Sequence, residues 1–418
     1  MDLNDNSDVL IIGGGVIGAA CAYFLTRSGR SVTLIDKGDV GHGCSYGNCG
    51  WIVPSHGMPL PMPGVPLQAF KWIFRKDSPL YIQPRLSLAM ARWLLRFCLS
   101  ANGKHLNHAV PALVELATHS LQIYKELATG DDVPDFGFKQ RGLIYCAASR
   151  SGLAAARHEL EIITPLGVRG REVDETELRC LEPAVIGPIV GGVHFEDEAT
   201  VEPLKAVQCL ATLAERQGAR ILPRTEMFAV ETAGGRIQSV RTTQGRLGAG
   251  QYVLAAGSWT PPLARQLRLN VPIEAGAGYA VITEPFEPGP RLPLMLVEKK
   301  VCVTARDSSF RFAGTLELAG LNQAINPVRV DAILAAARSF LAVPDDVRIT
   351  ETWRGLRPCT PDGLPIIGRP PPWENLVIAA GHAMLGLTLA TATGRLVSDL
   401  ITGSDPLVDP RPFRPERF

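Results

Sequence analysis

At 418 residues, with 46% hydrophobic and 20% charged side chains, the chain is long enough for about two to three domains and has the composition of an ordinary globular core. Lys and Arg total 42 against 41 Asp and Glu, a formal net charge of +1, which argues against a nucleic-acid binder and against disorder. Glycine is the outlier, at 41 residues or about 10% against a usual ~7%, and no collagen-like period absorbs the excess. The nine cysteines contain no C-x-x-C pair and no zinc spacing, so reduced thiols and no metal are expected. The start MDLNDNSD has no basic n-region, and no run of ~18 apolar residues is free of charge. The reading is therefore a cytoplasmic chain without signal peptide or transmembrane helix.

The first forty residues carry the clearest pattern. Asp8 to Ile12 reads as a strand, Gly13-Gly14-Gly15-Val16-Ile17-Gly18 as a glycine turn opening a helix to about Arg27, and Ser31 to Ile35 as a second strand ending at Asp36 and Lys37. In that context G-x-G-x-x-G binds a dinucleotide. Gly13 makes the tight turn, Gly15 lets backbone approach a pyrophosphate, and Gly18 lets helix and strand pack. The free N–H groups of the helix start face the phosphates, and Asp36 accepts from ribose hydroxyls while repelling a 2′-phosphate. After Asp36 a nicotinamide domain normally alternates strands and helices. Here the chain enters a loop of small and polar residues, Gly41 to Trp51, which includes Cys44, Ser45, Asn48 and Gly50 and runs on to Ile52. Such a loop suits close passage along an extended cofactor.

Residues 85–99 contain Arg85, Arg92 and Arg96 at i, i+7 and i+11, one narrow stripe at 100° per residue. Leu, Met, Trp and Phe occupy the rest. Two readings stand: a nearly buried helix with one solvated face, or a peripheral membrane helix anchored by Trp93 and Phe97. Helices are expected over about Leu86 to Ala128, Ser151 to Pro165 and Pro203 to Gln217, and consecutive strands over Pro272 to Thr283 and Leu294 to Glu317. Tyr252 to Trp259 is a strand ending in small residues, including Ala256 and Gly257. Leu376 to His382 leads through Leu385-Gly386-Leu387-Thr388 into a helix whose dipole would point at the cofactor.

These segments resemble the glycine/D-amino acid oxidase superfamily of FAD enzymes, and within it are most similar to bacterial D-amino acid dehydrogenases. The likeness rests on the fingerprint, Ser45-Tyr46-Gly47-Asn48-Cys49-Gly50, Pro63-Gly64-Val65-Pro66, Trp353-Arg354-Gly355-Leu356-Arg357-Pro358, Thr360 to Gly368, and Gly381-His382 onward. It implies an α/β fold: a discontinuous Rossmann-type FAD domain (1–60, 196–268 and 350–418) and an α+β substrate domain on an antiparallel sheet (61–195 and 269–349). It implies FAD contacts at Gly13, Gly15, Val16, Ile17, Gly18, Asp36, Lys37, Cys44, Ser45, Asn48, Gly50, Trp51, Ile52, Val230, Ala256, Gly257, Trp259, Arg357, Gly381, His382, Met384, Leu385, Gly386, Leu387 and Thr388.

By the same resemblance Arg357, rather than Arg354, binds the substrate carboxylate, as the bidentate geometry of a guanidinium favours. Tyr279 walls the pocket and His382 contacts the flavin ring. Met384 stands where glycine oxidases carry an Arg, so it argues for a bulkier or more apolar substrate; His56 and Tyr46 are further pocket candidates. Monomeric sarcosine oxidases attach FAD through a Cys at the position of Gly355, so FAD here is expected to be non-covalent. The implied reaction is oxidative deamination of a D-amino acid by hydride transfer to the flavin. The alternatives are a D-proline or hydroxyproline dehydrogenase, a glycine or sarcosine oxidase, and an electron-relay subunit. The electron acceptor is left open among a quinone, a carrier protein and oxygen.

Overall fold

A computed structural model describes residues 6–67, 80–83, 87–322 and 324–418. Arg85 and Leu86 fall outside them. Among the described residues two large sheets organise the chain. The first is built on parallel strands in the order Arg220–Leu222, Val32–Ile35, Asn6–Ile12, Gly245–Leu254, Leu376–Ala380. Its central strands are apolar and buried, as strands covered on both faces must be. The fingerprint helix Val16–Arg27 packs on one face between Pro203–Arg216 and Gly386–Thr402. The fit between helices is close: a methyl on Gly394 would meet the backbone of Ala20 at 2.5 Å.

The second sheet is mainly antiparallel and runs Ile349–Cys359, Glu274–Thr283, Phe310–Leu318, Val301–Ala305, Leu294–Leu296, Leu143–Ala147, Gly191–Phe195, Gly170–Val173. Two parallel contacts break the pattern, Leu294–Leu296 with Leu143–Ala147 and Leu80–Ile82 with Phe310–Leu318. The helix Pro327–Arg338 covers one face through Ile333, Leu334 and Ala337. The expected boundary at residue 350 is corrected here. Ile349–Cys359 pairs along its length with Glu274–Thr283, so the chain returns to the parallel sheet only after Cys359.

The expected helices form as Leu88–Ser100, Gly103–Ala128, Arg150–Ile163 and Pro203–Arg216. The first is not nearly buried. Met90 and Trp93 pack inward, and Trp93 Nε1 donates to the Cys359 carbonyl at 3.0 Å. Leu88, Leu95 and Leu99, at i, i+7 and i+11, are 67, 61 and 68% exposed. The helix rests on the protein by one face only, so leucines share the outer face with Arg92. No helix among the described residues is long and apolar enough to cross a membrane.

Candidate active site

The site forms where the parallel sheet, its loops and the antiparallel sheet converge. At the fingerprint, Gly13 has φ +116°, and a methyl there would lie 2.4 Å from the Ala255 carbonyl oxygen. A methyl on Gly18 would lie 1.8 Å from the Gly13 carbonyl oxygen. Both glycines are required by the protein's own packing. Gly15 differs: nothing stands nearer to its missing Cβ than Ser45 Oγ at 3.5 Å. Its bareness leaves backbone open outward at the start of Val16–Arg27, whose first turn carries no acidic side chain. That open, positive helix end fits a pyrophosphate. The Asp36 carboxylate stands at the end of the second strand, accepting from Gly14 N and Gly38 N at 2.7 Å each. The Lys37 ammonium lies 3.7 Å from the Trp259 ring centre. Space beside Gly257 and Gly386 is likewise open, whereas that beside Gly50 and Gly381 is taken by Val201 and Thr360. Val230 lies half-buried on Met227–Ala233, beside the parallel sheet. These residues fit the dinucleotide half of FAD.

The loop after Asp36 is pinned from both sides. Val16 N donates to Ser45 Oγ at 3.1 Å, and Asn48 Nδ2 donates to the Met384 carbonyl at 3.3 Å. Arg311, 2% exposed, reaches out of the antiparallel sheet and donates Nη1 to the carbonyls of Tyr46 and Asn48. Beyond this loop opens a cavity of about 1290 Å³. Cys44, Asn48, Trp51, His56, Arg357, Met384, Leu385 and Thr388 line it, so eight of the residues expected at the site converge there. Ile52 lies directly behind, fully buried and paired with Ala199. The start of Gly386–Thr402 opens onto the cavity through Ala383, Met384 and Leu385, and Thr388 Oγ1 ties that helix to the Trp51 carbonyl at 2.9 Å. A polar helix start beside an otherwise apolar wall suits the flavin ring system.

Arg357 is held with care. Its Nη1 donates to the Thr315 carbonyl at 2.7 Å, and its guanidinium lies flat over Gly278, where a methyl would come within 2.0 Å of Nη1. Thr315 has φ +58°, a strained setting for a β-branched residue, at a register shift in the strand pairing. Its buried hydroxyl has no partner and it lines the cavity. Among the described residues no carboxylate pairs with Arg357. A cation with free donors facing a cavity is a receptor for an anion.

Three expected pocket residues are corrected. Tyr279 is 1% exposed and turns to the opposite face, donating to Glu317 Oε2 at 2.7 Å. Strand alternation explains it: Gly276 and Gly278 share the cavity face, and Tyr279 joins Val281 and Phe312 under Pro327–Arg338. Arg354 follows Tyr279, donating Nε to its hydroxyl at 3.3 Å. His382 is 3% exposed, its Nε2 3.1 Å from Thr393 Oγ1. Burial pushes its imidazole down to about 3, and it stands behind the cavity wall rather than in it. The Tyr46 hydroxyl donates outward to Glu351 Oε2 at 3.1 Å.

Other lining residues lie outside the expected site set. Trp353 lies across the bare faces of Gly355 and Gly47, where methyls would sit 1.7 and 1.9 Å from its ring. Tyr145 and Glu159 also line the cavity. A usable signal existed for Trp353 and Arg357: alternate positions 353, 355 and 357 of one strand share a face, with glycine between two large side chains.

Fold and site together define a two-domain flavoprotein, a dinucleotide-binding parallel sheet joined to an antiparallel sheet that covers a cavity. The chain belongs to the FAD dependent oxidoreductase family, whose pattern it matches over residues 8–400; its cofactor is FAD. It is 32% identical over 417 residues to a D-amino acid dehydrogenase of Cereibacter sphaeroides, covering 98% of this chain and 95% of that one. It is 33% identical over 406 residues to a D-amino acid dehydrogenase of Methylobacterium nodulans, covering 95 and 96%. Among solved structures, glycine oxidase from Geobacillus kaustophilus superposes with TM-score 0.80 at 22% identity, over 99% of both chains. L-proline dehydrogenase from P. horikoshii gives 0.78 at 21%, over 100 and 98%. These two likenesses establish the fold.

Proposed function

We propose that this protein oxidises D-amino acids to 2-oxo acids and ammonia by way of an imino acid. The observation that carries the reading is Arg357, a guanidinium with no carboxylate partner among the described residues, fixed in the cavity by Thr315 and Gly278. The choice of D-amino acids rests on the relatives. When bound, FAD supplies the acceptor for a hydride from the substrate's Cα. Arg357 grips the α-carboxylate with its free donors and so fixes where Cα sits. Trp51 and Trp353 close the walls and exclude water, and Asn48 steadies the loop by its bond to the Met384 carbonyl. Met384 and the Leu60, Trp93, Leu94 and Phe97 side of the cavity suit an apolar side chain. The substrate loses a hydride and an N–H proton, and water hydrolyses the resulting imine.

The test is anaerobic mixing of the holoenzyme with D- and L-amino acids, glycine and prolines while the flavin absorbance is followed. D-amino acids bleach it, and Arg357→Ala slows the bleaching steeply and raises the substrate concentration it needs, with FAD retained. Failure of every D-amino acid to bleach, or bleaching undiminished in Arg357→Ala, overturns the reading.

FAD is held non-covalently in this proposal. Gly355 offers no attachment atom, and the Cys359 thiol is fully buried with Sγ 3.5 Å from the Arg357 carbonyl. Acid precipitation should leave yellow flavin in the supernatant; a yellow pellet contradicts this. The electron acceptor is proposed to be a membrane quinone. The support is the helix Leu88–Ser100, which lines the cavity with Trp93, Leu94 and Phe97 and exposes Leu88, Leu95 and Leu99 beside Arg92. Mixing the reduced enzyme with quinone, carrier or oxygen decides among the three.

A further inference from the structure

A second file of polar groups leads away from the cavity and serves neither the FAD contacts nor the carboxylate site. Glu198 is 2% exposed; its Oε1 accepts from Ser55 N at 2.9 Å, and its buried Oε2 has no partner. The Ser55 hydroxyl is also buried and settled on no partner. The Ser55 backbone N–H is bonded to Glu198 and its chain neighbour His56 to Tyr145, which sets Ser55 between those two bonds; from there it favours the charged form of each partner. The Tyr145 hydroxyl is 2.6 Å from His56 Nδ1, and both rings line the cavity. His56 is held edge-on between Trp51 and Tyr145, with centroids 5.6 Å away on either side. Two polar atoms left unpaired in a protein interior are costly, and such atoms call for a role.

We propose that Glu198, Ser55, Tyr145 and His56 form a relay that carries a proton between the substrate's ammonium group and the Glu198 carboxylate. The proposal rests on the amine-oxidising reading above. An N–H bond of the ammonium breaks and an N–H bond forms at His56 Nε2, while the Nδ1 proton passes to the Tyr145 oxygen. The Tyr145 proton passes to Ser55 Oγ and the Ser55 proton to Glu198 Oε2, where one O–H bond forms. The substrate is left with a neutral amine whose lone pair supports departure of the hydride. The reverse sequence returns the proton when ammonia leaves as ammonium.

The surrounding charges suit this division of labour. Burial and the neighbouring Lys300 hold His56 down at about 4, so the ring stays neutral and passes protons rather than storing them. Burial, with Glu159, Glu198 and Cys302 nearby, keeps the Tyr145 phenol far above its ordinary range. Glu198 is faced by Ser55, Asp197 and Lys125; burial, with the Asp197 charge adding to it, outweighs the Ser55 donors and Lys125 and raises its carboxyl to about 8. One group in the file therefore changes charge in the neutral-to-alkaline range, and it sits at the inner end.

The test follows the limiting rate of anaerobic flavin reduction against pH, using the fastest D-amino acid of the panel. In the wild-type holoenzyme that rate rises with pH around 8. In Glu198→Gln it falls by about 10²-fold and becomes flat, while the apparent Kd follows ionisation of the free amino acid. Tyr145→Phe gives the same flat profile yet keeps the Glu198 carboxyl, read by infrared difference titration of the resting protein; Ser55→Ala is a third variant should either fail to fold. Normal wild-type reduction with an unchanged pH profile in the variants overturns the relay alone. No reduction of the wild type by any amino acid overturns the reading above and the relay with it.

Discussion

Gly278→Ala tests the carboxylate site at its support rather than at the charge. Gly278 lies in an extended strand outside the left-handed region, so alanine suits its backbone. The new methyl would stand 2.0 Å from Arg357 Nη1, 2.1 Å from Cζ and 2.3 Å from Nη2. Ordinary contact needs about 3.5 Å, so the guanidinium must retreat by about 1.5 Å. A misplacement of ~1 Å at a reacting site costs about 10²-fold. Independently, losing a charge-assisted bond of about 1.5–3 kcal/mol weakens binding by about 10–150-fold. The apparent Kd for substrate in anaerobic reduction should therefore rise by about 10² with FAD content unchanged. A double-mutant cycle isolates the cause. In an Arg357→Ala background the methyl meets no guanidinium, so Gly278→Ala should cost almost nothing more. Wild-type affinity in Gly278→Ala, or a full penalty persisting without Arg357, refutes the reasoning.

The Glu198 carboxyl is raised from 4.5 to about 8. Its contribution to stability is fully present below about pH 4.5 and is lost as pH rises through 8, which amounts to about 2–3 kcal/mol between pH 6 and 9. Urea unfolding of Glu198→Gln should lack that loss, and curves for the two proteins that stay parallel from pH 6 to 9 would count against it. Gly15→Val should fold normally, since space there is open, yet lose FAD; retained yellow colour after gel filtration contradicts the pyrophosphate role. Leu95→Ser with Leu99→Ser should abolish co-sedimentation with anionic vesicles while sparing dye-linked activity, and undiminished sedimentation excludes the membrane contact.

Sequence alone determined the dinucleotide half, because its signals are local. Strand, glycine turn, helix, strand and Asp36 lie within forty consecutive residues, and each glycine answers a backbone constraint readable from spacing. Resemblance added Arg357. The faces of the antiparallel sheet were less legible, although part of the signal was present: Gly276 and Gly278 marked the cavity side, which puts Tyr279 on the other. His382 could not have been placed, since a residue beside a flavin-side glycine faces either cavity or core according to how Gly386–Thr402 packs. The file from Glu198 to His56 joins residues 55, 56, 145 and 198, brought together only when separate elements meet, and burial with the charges it brings near moves the ionisation of His56, Tyr145 and Glu198. Turns and phosphate cradles are properties of short segments. Which polar atoms lie buried, and beside what, belongs to the packed chain, and here tertiary structure decided it.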